Sequence, residues 1–188
     1  MDSYEEFLKS KRLVVKPSGF EPYGISDKLF PFQRDIVRWA CKKGKAAIFA
    51  GTGLGKTGMQ LEWAHQVHQH TGADVLVLAP LAVAEQTARE GEKFEVVVHL
   101  CKTQADVKPG VNITNYEKLS HFDAGHFAGI VLDESSILKS FAGKVRTEII
   151  EAFRDTPFKL ACTATPAPND HMELANHAEF LHVMSRPE

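Results

Sequence analysis

The sequence predicts an α/β fold with a mostly parallel sheet and helices on both faces. Three observations predict it. Short apolar runs recur along the chain, at Ala46–Ala50, Val75–Ala79, Glu95–Leu100, Val111–Thr114, Gly129–Leu132 and Lys159–Thr163. Runs this short and this apolar suit strands buried on both faces. Helical patterns alternate with several of them, which implies right-handed crossovers. A glycine-rich loop, Gly51–Lys56, follows the first run directly.

The elements can be justified in order. Residues 1–29 carry Pro17, Gly19, Pro22 and Gly24 and no periodicity, so an irregular arm is expected, with the folded lobe spanning 30–188. Ile36, Val37, Trp39 and Ala40 have helical spacing within Gln33–Lys43, and Gly44 is placed to end that helix. After the loop, Met59, Trp63 and Val67 recur every four residues beside Ala64. The helix they define should pack one stripe and show His65, Gln66 and Gln69 elsewhere. Ala82–Glu90 and Lys144–Arg154 read as further helices, the second with Val145, Ile149 and Phe153 on one face.

Composition narrows the class. At 188 residues, 44% hydrophobic and 24% charged, the chain suits one α/β domain rather than a disordered or membrane-spanning protein. Its net charge of −2 offers no global attraction to phosphate backbones, so nucleic-acid binding would rest on local patches or a partner domain. Cys41, Cys101 and Cys162 form neither a disulfide framework nor a zinc cluster. With no apolar signal core and no membrane-length run, a cytoplasmic location is expected. His65, His68, His70, His171, His177 and His182 are read as solvated surface histidines, and Cys162 as a small buried apolar residue.

The chemistry lies in two segments. Ala50–Thr57 reads AGTGLGKT, a phosphate loop with Ala50 in the usual first glycine position. Backbone N–H groups of Gly51, Thr52, Gly53, Leu54 and Gly55 can surround phosphates, with Lys56 on the β and γ oxygens and the Thr57 hydroxyl on Mg²⁺. The run Ile130–Leu132 then delivers Asp133 and Glu134 at a strand end. Asp133 would hold the metal, and Glu134 would orient or deprotonate the attacking water. Together they mark a site for Mg²⁺-dependent ATP hydrolysis. In a parallel sheet ligands gather at the carboxyl ends of strands, where Gly51–Lys56, Pro80-Leu81, Asn115-Tyr116, Asp133–Ser136 and Ala164–Pro166 should all lie.

Phe32-Gln33, AGTGLGKT, LAPLAVAEQ, ITNYEKL, VLDESSILKS and CTATPAP occur in the order of the sequence blocks of superfamily 2 helicases. The chain resembles the first RecA-like lobe of that superfamily, a P-loop NTPase, over roughly Phe30 to Phe180. DESSILK is most similar to the Swi/Snf-type branch and its phage and bacterial relatives, although Gln86 stands where that branch often has Trp. The resemblance implies that Gln33 reads the adenine edge, with Tyr23, Phe30 or Phe32 stacking on the base. It implies that Pro80, Leu81, Thr114, Asn115 and Tyr116 contact a nucleic-acid backbone, DNA being expected. Thr163 and Thr165 would couple the nucleotide site to a neighbouring lobe through hydroxyl hydrogen bonds to Asp133 or Glu134.

That neighbour, a second RecA-like lobe in cis or trans supplying arginine fingers, has no counterpart after Thr165. Residues 166–188 read as one helix-like stretch ending in MSRPE, an abrupt stop expected of a fragment or a split gene. Binding of Mg-ATP with slow hydrolysis and no translocation by this chain alone is therefore expected. Three other classes compete. A nucleotide kinase would need an arginine-rich lid, and a GTPase an NKxD segment, neither of which is visible. A nonhydrolytic regulator fits poorly with intact Lys56, Thr57, Asp133 and Glu134.

Overall fold

The computed structural model describes residues 16–139, 143–166 and 173–183. His171 and the first fifteen residues of the expected arm lie outside them. The described elements are α1 (Pro31–Lys43), β1 (Lys45–Phe49), α2 (Lys56–Thr71), β2 (Val75–Ala79), α3 (Leu81–Gly91), β3 (Val98–Leu100), β4 (Val111–Asn115), β5 (Gly129–Asp133), α4 (Lys144–Ala152), β6 (Phe158–Thr163) and α5 (Glu173–Phe180). Short 3₁₀ turns fill several connections, including Ser135–Lys139.

All six strands are parallel, in the order β1-β6-β5-β2-β4-β3. Strand alternation explains the two cores, because successive side chains leave a strand on opposite faces. Val75, Val77, Val131, Leu160 and Cys162 join Val37, Met59 and Trp63 from α1 and α2 on one face. Leu76, Leu78, Ile130, Leu132 and Ala161 join Ile149, Phe153 and Phe180 from α4 and α5 on the other. This two-sided burial is why the strand runs are continuously apolar.

Four sequence expectations are corrected. The third strand begins at Val98 rather than Glu95, because Glu95 has φ 60° and ends a 3₁₀ turn. Val145 is 41% exposed, while its expected partners Ile149 and Phe153 are buried. Gln66 is buried, since α2 is covered on a second side by residues 18–29. Its Oε1 accepts from Tyr23 N at 3.2 Å and its Nε2 donates to Glu62 Oε1 at 2.9 Å, while Glu62 Oε1 accepts from Ser26 N. His177, expected at the surface, is 2% exposed.

Residues 16–29 have no regular secondary structure, but Leu29 is buried and Phe20 and Ile25 pack on the core. His70 likewise stacks on Phe20, ring centroids 4.0 Å apart, and His68 Nδ1 lies 2.8 Å from Ala73 O.

Candidate nucleotide site

Because every strand runs the same way, the loops after β1, β2, β4, β5 and β6 share one edge of the sheet. The phosphate loop leaves β1, and Asp133-Glu134 ends β5. Strand β6 lies between them, with Cys162 level with both Ile48 and Asp133. Two strand spacings set the acidic pair about 10 Å from the loop's strand.

The loop's glycines have distinct duties. Gly53 and Gly55 take φ of 83° and 74°, conformations costly for any other residue. Gly55 is also the N-cap of α2, and a Cβ there would lie 2.3 Å from Gln33 Nε2. Ala50 is absent from the positive-φ residues, so a methyl group is tolerated at this departure from the motif. Lys56 and Thr57 open the sixteen-residue α2, whose first N–H groups lack intrahelical acceptors and point toward the loop. Lys56 Nζ donates to Ala50 O at 2.9 Å and to Gly51 O at 3.3 Å, bridging the loop it would leave to meet phosphate oxygens.

Gln33 is buried against this loop. Its Nε2 donates to Leu54 O at 2.9 Å and its Oε1 accepts from Phe30 N at 2.9 Å. One N–H and one lone pair of the carboxamide are left over. Phe30 and Phe32 stack on each other with centroids 6.2 Å apart and remain 68% and 46% exposed. Tyr23 sits instead over the far half of α2, bonded through its backbone to Gln66.

At the acidic end, Asp133 is 9% exposed, and burial raises its carboxyl pKa. The Gln60 carboxamide and Lys56 oppose that rise, while Glu134's charge adds to it. Gln60, one turn beyond Thr57, is fully buried with its carboxamide beside Asp133. Sequence reasoning missed it; a Gln three residues after the loop's Thr, amid apolar neighbours, was the available signal. Burial likewise pushes the Cys162 thiol up, Asp133 and Glu134 adding and Lys56 opposing.

Glu134 has φ 57°, unusual for a non-glycine residue. The Thr163 hydroxyl donates to Glu134 Oε1 at 2.6 Å and accepts from Thr165 N at 3.0 Å. The structure thus brings together Gln33, the loop, Lys56, Thr57, Asp133, Glu134, Thr163 and Thr165. The hydroxyl of Thr57 and the carboxylate of Asp133 are hard oxygen donors of the kind Mg²⁺ takes beside phosphates.

The expected nucleic-acid contacts divide. Pro80, Leu81 and Asn115 line a cavity of about 490 Å³ that reaches Glu134 and Ile137, with Leu81 63% exposed. Thr114 is 1% exposed, at the floor of a small neighbouring recess. The Tyr116 hydroxyl donates to Asp133 O at 2.7 Å, so that group braces the acidic strand end. Tyr116, the first residue after β4, also lines the cavity shared by Pro80, Leu81 and Asn115.

A phosphate loop at the end of β1, an acidic pair at the end of β5 and a strand inserted between them define a P-loop NTPase of the helicase type, in its first RecA-like lobe. The chain belongs to the family described as type III restriction enzyme, res subunit, whose profile matches residues 26–168. Similar solved structures agree in fold. The UvsW helicase from bacteriophage T4 has a TM-score of 0.67 at 15% identity, covering 94% of this chain and 64% of that one. The SWI2/SNF2 ATPase core of Sulfolobus solfataricus, solved with double-stranded DNA, has 0.69 at 22%, covering 87% and 38%. The Hef helicase domain of Pyrococcus furiosus has 0.65 at 18%, covering 80% and 36%. The chain therefore spans less than two thirds of each of these proteins. No curated protein sequence matches it. Among the described residues no helix is long and apolar enough to cross a membrane.

Proposed function

We propose that this chain is the ATP-binding lobe of a DNA-dependent helicase or translocase. The observation that carries the reading is that the loop bearing Lys56 and the pair Asp133-Glu134 leave the same sheet edge on either side of β6, with Glu134 held by Thr163. Lys56 and the loop amides would bind the β and γ phosphates, and Thr57 and Asp133 would hold Mg²⁺, which when bound neutralises phosphate charge. Glu134, 2.6 Å from a hydroxyl that fixes its carboxylate, would orient the attacking water. Gln33 would read adenine through its remaining donor and acceptor, with the exposed Phe30 and Phe32 beside it.

Nucleic acid would run across the same edge. The α3 N-terminus at Leu81, the open cavity beside it and Lys102 and Lys118 around a small neighbouring recess supply amides and positive charge suited to a phosphate backbone. A second lobe, in cis or trans, would complete the site with arginine fingers, worth about 10³–10⁵ in rate. Alone, this lobe would bind Mg-ATP and turn it over slowly.

Titration with fluorescent ATP and GTP analogues, with and without Mg²⁺, tests the reading. ATP should bind in preference to GTP, and Lys56→Ala should abolish binding. Glu134→Gln should bind ATP normally and lose turnover. Equal binding of both nucleotides would remove the adenine role of Gln33, and Lys56→Ala binding as well as the parent chain would remove the site.

A further inference from the structure

We infer that His177 is a positioning residue for Glu134, acting through Ser135 from the buried face of α5. The inference rests on the nucleotide-site reading above. It begins with Glu134, whose backbone at φ 57° must be kept there by its surroundings. Its carboxylate is held by Thr163, but the turn that follows is held from a different direction. Ser135 is fully buried, and its hydroxyl shares a 3.0 Å hydrogen bond with His177 Nε2. One residue earlier on α5, Asn176 Nδ2 donates to Leu138 O at 2.6 Å, gripping the other end of the Ser135–Lys139 turn.

Asn176 is itself fixed from α4. Arg146 Nε donates to Asn176 Oδ1 at 3.2 Å, and the same guanidinium pairs with Glu179. His177 also meets the Phe49 ring edge to face, centroids 5.2 Å apart and planes at 83°. Phe49 closes β1 and is followed by Ala50, whose carbonyl accepts from Lys56. One imidazole thus touches the residue before the phosphate loop and the residue after the acidic pair.

A Ser–His pair also invites a nucleophilic reading. Ser135 has no exposed surface and His177 is 2% exposed, so no substrate can reach them. Their chemistry is structural, and its object is the adjacent Glu134.

The test compares Ser135→Ala, His177→Phe, His177→Gln and the Ser135→Ala/His177→Phe pair in the full chain. Phe keeps bulk without the hydrogen bond, and Gln keeps a donor and an acceptor. Loss of the bond should lower kcat for ATP by about tenfold, with KM and affinity for a fluorescent ATP analogue within about twofold of the parent. The pair should be no worse than either single variant, and Gln should recover most of the rate. Amide hydrogen exchange across 134–139 should accelerate in Ser135→Ala and His177→Phe while β2 stays protected. Unchanged exchange there, or a loss of nucleotide affinity in place of kcat, would overturn the inference. Failure of the parent chain to bind the analogue would instead sink the nucleotide reading, and the exchange comparison would still decide the role of His177.

Discussion

The Thr163 hydroxyl spans β6 and β5 to donate a 2.6 Å hydrogen bond to Glu134 Oε1. A hydrogen bond to an ionised group contributes about 1.5–3 kcal/mol. Thr163→Val should therefore cut ATP turnover by at least about tenfold, leaving nucleotide affinity within about twofold, and Thr163→Ser should restore the rate. Steady-state kinetics alongside analogue binding checks this. A Val variant that turns over ATP like the parent would remove Thr163 from the coupling role.

Gly53 and Gly55 separate two costs that loop glycines usually combine. Both have positive φ, but an added Cβ meets nothing within 4 Å at Gly53 and lies 2.3 Å from Gln33 Nε2 at Gly55. Gly53→Ala should lose only the left-handed backbone cost, about 1–2 kcal/mol. Gly55→Ala should lose that and displace Gln33 from Leu54 O, lowering Tm further and weakening ATP binding. Gly55→Ala combined with Gln33→Ala should recover part of the difference between the two. Thermal melts of the three variants and the parent decide it.

Lys159 is a buried lysine on β6 whose Nζ donates to Arg154 O and Phe180 O, both at 3.1 Å. Burial pulls its pKa from 10.5 down to about 8, helped by Lys45 and opposed by Asp155. Between about pH 8 and 10.5 the unfolded chain holds this proton and the folded chain does not. The unfolded state then binds more protons, so this group makes stability rise with pH across that window. Below pH 8 the cost of burying the ammonium is present in full. The urea midpoint of the parent relative to Lys159→Met should climb from pH 8 to 10; a flat difference would refute the shift.

All three cysteines are buried, and burial pushes Cys41 up to about 12 and Cys101 up to about 11. The thiolate is the reactive form, so native protein at pH 8 should resist alkylation. Mass spectrometry should show no iodoacetamide adducts in buffer and three after unfolding in urea.

What the sequence revealed follows the range of the interactions involved. The phosphate loop, the strand before it and Asp133-Glu134 are local patterns, and each stands at the element end where its spacing placed it. Strand order is different, because no local signal says that β6 enters between β1 and β5. Gln66 and Val145 were misjudged for the same reason. One is covered by residues 18–29, which lack periodicity, and the other faces an open cavity although its spacing matches that of buried neighbours. His177 could have been found: with Phe180 and Leu181 it forms an i, i+3, i+4 set, and both of those are buried.

The place of β6 bears on how the site is born. Among the described strands β1 pairs with β6 alone, although 108 residues separate Phe49 from Phe158. A nascent chain carries its lysine and both acids well before it carries the wedge that holds them apart. Until Phe158–Thr163 leave the ribosome, the phosphate loop hangs from an unpaired strand, and the cradle closes only when the last ribbon of the sheet slides in.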